Sequence, residues 1–241
     1  MLLTSILNIS ALSEKDRSTM FDLYHSNYDG GEPATFYRDL DAKNFAVVLR
    51  DENGVIRGFS TLAVYNENFQ NAPVRVLYSG DTIIEPEFWG QNQMSKAWLE
   101  LAGYIKEECP GVPLYWLLIV KGHRTYRYLS LFSTEYFPRH QIETPLHVQQ
   151  LMDHLATKKF GVQYDPTTGL VKFPEPRSHL NQSLAVIPPK DVGRAEVQYF
   201  LSRNPYYEQG DELLCLCELK AEKLTRLAKQ WFETGHTEKV S

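Results

Sequence analysis

Five consecutive residues, Tyr78-Ser79-Gly80-Asp81-Thr82, set a carboxyl, two hydroxyls and a phenol into a run, Val74 to Ile84, that is otherwise apolar save for Arg75. A polar group buried in such a run without partners costs roughly 1–3 kcal/mol, so these residues are expected to line a cleft. There Asp81 would take a proton from an attacking group, directly or through water, while Tyr78, Ser79 and Thr82 would hold the substrate. The competing reading is a β-bulge over Ser79, Gly80 and Asp81 whose side chains serve only the backbone. A second group, Lys121-Gly122-His123-Arg124-Thr125-Tyr126-Arg127, follows the apolar run Leu114–Val120. Cations at a helix start face the positive end of the helix dipole, so their gathering there points to an anion: a phosphate, a phosphopantetheine arm or a carboxylate. Lys121 and Arg124 are the candidate ligands. His123, with an ordinary pKa near neutrality, and Tyr126 are candidates for moving a proton. A solvated basic helix start is the alternative.

Composition narrows the classes. The 241 residues are 43% hydrophobic and 23% charged, ordinary globular usage for one elaborated domain or a domain with an extension. A net charge of -5 argues against a protein that grips nucleic acid, which needs a strongly basic surface. Cys109, Cys215 and Cys217 cannot all pair within one chain and show no metal-ligand spacing, so buried thiols in a reducing compartment, and no metal, are expected. Met1 to Leu12 lacks the basic leader of a signal peptide, and no apolar run approaches membrane-spanning length. The expected setting is the cytoplasm, without a membrane span.

The elements that must position these groups follow from periodicity. Leu2 to Leu12 reads as a strand, and Ser13 before Glu14, Lys15 and Asp16 as a helix cap. A short helix begins at Glu32-Pro33. Asn44–Leu49 and Val55–Tyr65 read as a hairpin turning at Asn53-Gly54, and Val74–Ile84 as the strand that carries Asp81. From Gln93, Met94, Ala97, Trp98, Leu101, Ala102 and Ile105 recur at helical spacing; Pro113–Val120 reads as a buried strand, and a helix follows Gly122. Beyond Pro138 the pattern predicts a helix near 149–158, strand pieces within 164–171, a helix from Pro189 to Leu201, a strand over Leu213–Leu219 and a closing helix from Ala221. The division expected is a core over 1–138 and an extension over 139–241 that completes the sheet and covers the acceptor site.

The order from Asn44 to Phe137, with the segment from Ile84 through Pro86-Glu87-Phe88 to Gly90 and Met94, resembles the GNAT acyltransferase superfamily and its strand-to-helix cofactor loop. In that loop glycines let backbone N–H groups close on a pyrophosphate at a helix N-terminus. Here Trp89 stands where Arg or Gln is expected, Asn92 at the first motif glycine and Met94 at the second. Asn92 is expected to keep the turn by adopting the left-handed conformation, and Met94 to crowd the phosphate approach. Leu131 to Phe137 resembles the family's segment after its fifth strand, with Phe132 in place of a Tyr that protonates the leaving thiolate in many relatives.

The resemblance implies an α/β (α+β) fold: a GNAT-like mixed central sheet flanked by helices, with a C-terminal α/β extension. It implies a direct transfer of an acyl group from a thioester, acyl-CoA or acyl carrier protein, to the amine or hydroxyl of a small molecule. Ile83, Ile84, Trp89, Gly90, Gln91, Asn92, Gln93 and Met94 would bind the carrier. Asp81 would deprotonate the acceptor, a backbone N–H near Thr82 would polarise the thioester, and Tyr126 or His123, with Tyr128 a further option, would reprotonate sulfur. The weakened loop fits an acidic carrier protein met by Lys121, Arg124 and Arg127. A GNAT-like module without catalysis, or an unrelated α/β ligand-binding protein, are the competing readings.

Overall fold

The computed structural model describes residues 2–174 and 177–235. Among them β1 (Leu3–Asn8), β3 (Phe45–Arg50), β4 (Ile56–Phe69), β5 (Ala72–Ile84), β6 (Leu114–Val120), β7 (Tyr164–Asp165), β8 (Leu170–Val171) and β10 (Glu212–Glu218) make one sheet in the order β1-β3-β4-β5-β6-β10-β8-β7. A separate pair joins β2 (Tyr28–Asp29) to β9 (His179–Leu180). The main sheet is mixed: β5 and β6 run parallel and the other neighbours antiparallel.

Helices cover both faces. On one lie α3 (Gln93–Glu107), α4 (His123–Phe132), α8 (Ala195–Arg203) and α9 (Arg226–Gly235), sharing a core with Leu77, Trp116 and Leu118. On the other lie α1 (Glu14–Asn27) and α2 (Pro33–Asp41) over β3 and β4, and α5 (Leu146–Phe160) over Tyr78, Leu117 and Leu214. The short helices α6 (Gln182–Ala185) and α7 (Pro189–Val192) connect β9 to α8. This is the mixed sheet flanked by helices that the GNAT resemblance implied. No helix of the described residues is long and apolar enough to cross a membrane.

Local chemistry accounts for most boundaries. Ser13 and Asp16 form a capping box at the start of α1. At the β3–β4 turn the Asp51 carboxylate accepts from the Asn53 and Val55 N–H groups, each at 2.9 Å, and Gly54 takes φ +77°. The polar residues 66–71, between the two strands read from the sequence, are strand closed by a tight turn, with Gln70 and Asn71 at φ 50° and 63°. Asn tolerates that conformation and Gln does so at a cost, so composition alone did not mark it. The single helix expected from Pro189 to Leu201 is broken at Gly193, and the last helix opens at Arg226 rather than Ala221. The sheet continues past position 138, because β10 pairs with β6 from Leu213↔Val120 to Glu218↔Tyr115.

Candidate active site

Parallel pairing of β5 with β6 runs from Arg75↔Leu114 to Tyr78↔Leu117 and ends there, although the strands continue to Ile84 and Val120. Beyond Tyr78 they form a fork, with backbone groups on its inner edges turned away from ladder partners. At its base the Trp116 indole donates to the Ser79 hydroxyl at 2.8 Å. On its other edge β5 carries an irregularity. Ser60 pairs with Thr82 and Leu62 with Ser79, so Thr61 alone opposes Gly80 and Asp81. That two-against-one register is a β-bulge, and a Cβ on Gly80 would lie 2.6 Å from Thr61 Oγ1, so the bulge closes only around glycine.

A cavity of about 350 Å³ fills the fork. Tyr78, Ser79, Asp81 and Thr82 line it, as do Lys121 and Met94, so the bulge and the cleft are both real and occupy the same residues. The bulge re-aims Asp81 into the cavity. Tyr24, Tyr28 and Asp39 wall it from the α1–α2 side, and Phe173, Ser178 and Glu212 from the C-terminal part of the chain.

The cavity's charges are unevenly matched. Lys121 meets Glu212 at 3.0 Å, donates to Ser178 Oγ at 3.0 Å and lies 5.3 Å from the centre of the Tyr28 ring. Burial works against the Lys121 charge, but Glu212, Tyr28 and Asp81 more than offset it and hold the ammonium protonated. Lys43, almost fully buried, pairs with Asp39 and donates to its backbone carbonyl at 3.1 Å. Lys159 caps the Tyr78 ring at 3.9 Å, and burial with the nearby Lys43 lowers its pKa to about 8. Asp81 differs from these: no described side chain hydrogen-bonds or pairs with its carboxyl. Burial, reinforced by Asp39 and opposed by Lys121 and Lys43, raises its pKa to about 6.

The segment Lys121–Arg127 divides. Lys121 and Thr125 line the cavity, whereas His123 and Tyr126 turn into the core and are about 1% exposed. Neither His123 nor Tyr126, the expected proton donors to a leaving thiolate, lines the cavity. The Tyr126 hydroxyl donates to the Pro138 carbonyl at 2.8 Å, and burial raises its pKa far above the ordinary value. Neither His123 nitrogen has a hydrogen-bond partner among the described residues, and burial together with Arg124 lowers its pKa to about 4. Arg124 places its guanidinium 5.2 Å from the centre of the Trp89 ring and donates to the Leu184 carbonyl at 2.5 Å; Arg127 meets Asp191 at 3.3 Å.

The loop also departs from expectation. Asn92 is right-handed, with φ -92° and ψ -2°, and Gly90 takes the left-handed turn at φ +84°. A glycine reaches that region without the steric cost an asparagine carries, so the turn forms two residues earlier. Met94 does not crowd the loop, because its side chain packs inward, is 4% exposed and borders the cavity. Trp89 bonds back to the Ile84 carbonyl through its indole at 2.7 Å. Ile83 belongs to the core under α1 and α2, Ile84 packs against the opposite core, and Gly90, Gln91 and Gln93 stay outside the cavity lining.

Sequence reasoning passed over Tyr24, Tyr28, Asp39, Lys43, Ser178 and Glu212. Glu212 carried a signal, an acid placed directly before the apolar run Leu213–Cys217. The tyrosines carried none, since their helix and strand positions read equally well as packing.

No protein-family model matches the chain, and no curated protein matches it. Among solved structures, a conserved protein of unknown function from Enterococcus faecalis, titled a probable N-acyltransferase, is similar at 14% identity and TM-score 0.42; the match covers 58% of this chain and 37% of that one. A GNAT family N-acetyltransferase, YhbS from Escherichia coli in complex with CoA, is similar at 13% identity and TM-score 0.38, over 55% and 69% of the two chains. An acetyltransferase of Trypanosoma brucei is similar at 18% identity and TM-score 0.38, over 61% and 99%. The chain thus spans just over a third of the first of these proteins. Likeness at this level assigns no residue a role.

Proposed function

We propose that the protein is an acyltransferase that moves an acyl group from a thioester carrier to an amine or hydroxyl of a small molecule, with Asp81 as the general base. The observation that carries this reading is the fork between β5 and β6, which opens onto a cavity where the Asp81 carboxyl has no partner among the described side chains and burial raises its pKa to about 6. The inner edges of the fork offer N–H and C=O groups at strand spacing, matching the amides of a pantetheine arm. A general base is most effective when its pKa lies near the working pH, and Asp81 meets that requirement where an ordinary exposed carboxylate does not.

The chemistry then runs in one direction. The acceptor nitrogen or oxygen attacks the thioester carbon, and its proton passes to Asp81, directly or through one water. A backbone N–H of the fork near Thr82 stabilises the oxyanion. As the C–S bond breaks, the thiolate takes a proton, and Tyr128 is the α4 phenol that supplies it: it lines the cavity, and burial raises its pKa and keeps it protonated. Lys121, fixed by Glu212, holds a polar or anionic part of the acceptor. The carrier's phosphates would meet the loop 89–94, where Arg124 over Trp89 provides the cation that the loop itself lacks. The segments 173–174 and 177–178, with Glu212, cover the acceptor side, the role we assign to the extension after position 138.

The test is thiol release from CoA and acyl-carrier-protein thioesters, measured with and without a panel of small amines, alongside thermal shift. Acceptor-dependent release with stabilisation by one carrier class is the expected result and identifies the donor. Neither release nor stabilisation with any thioester overturns the reading.

A further inference from the structure

The cavity is not confined to one face of the sheet. Four of the charged residues that line it, Asp39, Asp81, Lys121 and Glu212, stand on the face covered by α1, α2 and α5. Through the fork it reaches the opposite face, where its walls are Met94 and Trp98 of α3, Trp116 and Leu118 of β6, and Tyr128 and Phe132 of α4. Trp98 and Trp116 lie 4.7 Å apart between ring centres, and Phe132 lies 5.9 and 5.7 Å from them. Packed interiors leave few voids larger than a water, and a void with such walls has few partners to offer water. Ser95, Thr125 and Tyr128 are the hydroxyl-bearing cavity residues on α3 and α4. Thr125, Tyr128 and Phe132 follow one another at helical spacing along a single side of α4, so the apolar chamber is a continuous strip of that helix rather than a scatter of side chains.

We infer that this chamber receives the acyl chain of the donor, and that the preferred thioester carries a medium-length aliphatic chain rather than acetyl. The inference rests on the acyltransferase reading and names the donor for that same site. The geometry divides the labour. The acceptor and its proton occupy the charged side, where Asp81 is; the thioester carbonyl sits in the fork; the chain extends past Trp116 towards Trp98 and Phe132. An acetyl group would leave those aromatic walls without contacts. Each additional methylene buried there raises affinity about fourfold, and the gain stops when the chain meets the end of the chamber. Selection by such walls is graded, with about 10–200-fold discrimination available per methylene at the limit of fit.

The experiment compares kcat/KM for acetyl, butanoyl, octanoyl, dodecanoyl and palmitoyl thioesters of the same carrier with one amine acceptor. The expected profile rises at least tenfold from acetyl to octanoyl and falls towards palmitoyl. Thr125→Trp, which narrows the chamber from α4, should lower the octanoyl-to-acetyl ratio at least tenfold. Ser95→Trp narrows it from α3 and should act in the same direction if the first variant does not fold. Acetyl used as well as or better than octanoyl overturns the chain-length inference while leaving the acyltransferase reading intact, as does a ratio unmoved in a folded tryptophan variant. If no thioester is turned over and none raises the melting temperature, the acyltransferase reading fails and takes the inference with it.

Discussion

Two polar segments, Tyr78–Thr82 and Lys121–Arg127, stand out in the chain, and the structure treats them differently. The first enters the cavity almost as a unit: Tyr78, Ser79, Gly80, Asp81 and Thr82 all line it. The second is split, with Lys121 and Thr125 at the cavity, His123 and Tyr126 in the core, Arg124 over Trp89 of the 89–94 loop, and Arg127 paired with Asp191. The difference is one of geometry. A strand offers two faces, and at an open fork with a bulge both reach the same space. A helix start distributes successive side chains around a full turn, so a cluster in sequence becomes a scatter in space. Local density of functional groups is therefore better evidence of a site on a forked strand than at the head of a helix.

Asp81→Asn sharpens that comparison most. It removes the proposed base with little change in shape, and turnover should fall by about 100- to 10,000-fold. In the unsubstituted protein kcat/KM should rise with pH through about 6 and level off above, as the Asp81 carboxyl ionises. Stability should move the other way. Because the folded-state pKa is raised above its ordinary value, the stabilisation from protonated Asp81 is complete below about pH 4 and is lost as pH rises through about 6. Asp81→Asn should therefore be more stable than the parent at pH 8, on the order of 1–3 kcal/mol in chemical denaturation, with the gap closing below pH 4. A variant that keeps both its turnover and the parent's pH-dependent stability would remove Asp81 from the mechanism.

Lys121→Met tests the member of the second segment that the structure brings to the first. Its loss leaves Glu212, itself only 5% exposed, without its cation. Breaking such a buried pair from one side costs roughly 3–5 kcal/mol. Burial already raises the Glu212 pKa, so the variant should recover part of the loss at low pH by taking up a proton there. The double variant Lys121→Met with Glu212→Gln should be more stable than Lys121→Met alone at pH 8. An unchanged denaturation midpoint in Lys121→Met would show that the pair is solvated and the cavity floor open.

Much of this architecture could be read from residue order. The hairpin at Asn53-Gly54, the strand carrying Asp81, the helix from Gln93 and the buried strand before Lys121 each announce themselves by turn chemistry or periodicity, and their resemblance to the GNAT order implied the mixed sheet. Within the site, Tyr78, Ser79, Asp81, Thr82 and Lys121 were legible because polar groups interrupt or terminate apolar strands. What escaped is of two kinds. Asp39 and Tyr28 reach the cavity, with Lys43 paired to Asp39, from elements that are distant in sequence and locally unremarkable, so only the tertiary fold gathers them. The loop at 89–94 misled for another reason: Gly90 supplies the left-handed turn, and the helix behind it is free to turn Met94 inward, an outcome set by packing against Trp98 and Phe132 rather than by the loop's own composition.

His123 offers the smallest effect and the cleanest contrast with Asp81. It is about 1% exposed, neither ring nitrogen has a hydrogen-bond partner among the described residues, and burial with Arg124 lowers its pKa to about 4. The folded state therefore resists protonating it while the unfolded chain does not. Its contribution to stability is fully present above about pH 6.5 and is lost as pH falls through about 4, opposite in sign to that of Asp81. His123→Leu fills the space with an apolar group that cannot be charged. At pH 8 its stability should match the parent within about 1 kcal/mol, since a buried polar group without partners is replaced rather than a hydrogen bond broken. Between pH 6.5 and 4 it should pull ahead, on the order of 1–2 kcal/mol, because the penalty for charging the imidazole is gone. Turnover and its rise through about pH 6 should persist, since that titration belongs to Asp81. A loss of turnover larger than tenfold in folded His123→Leu would return the histidine to the mechanism and require α4 to open during the reaction.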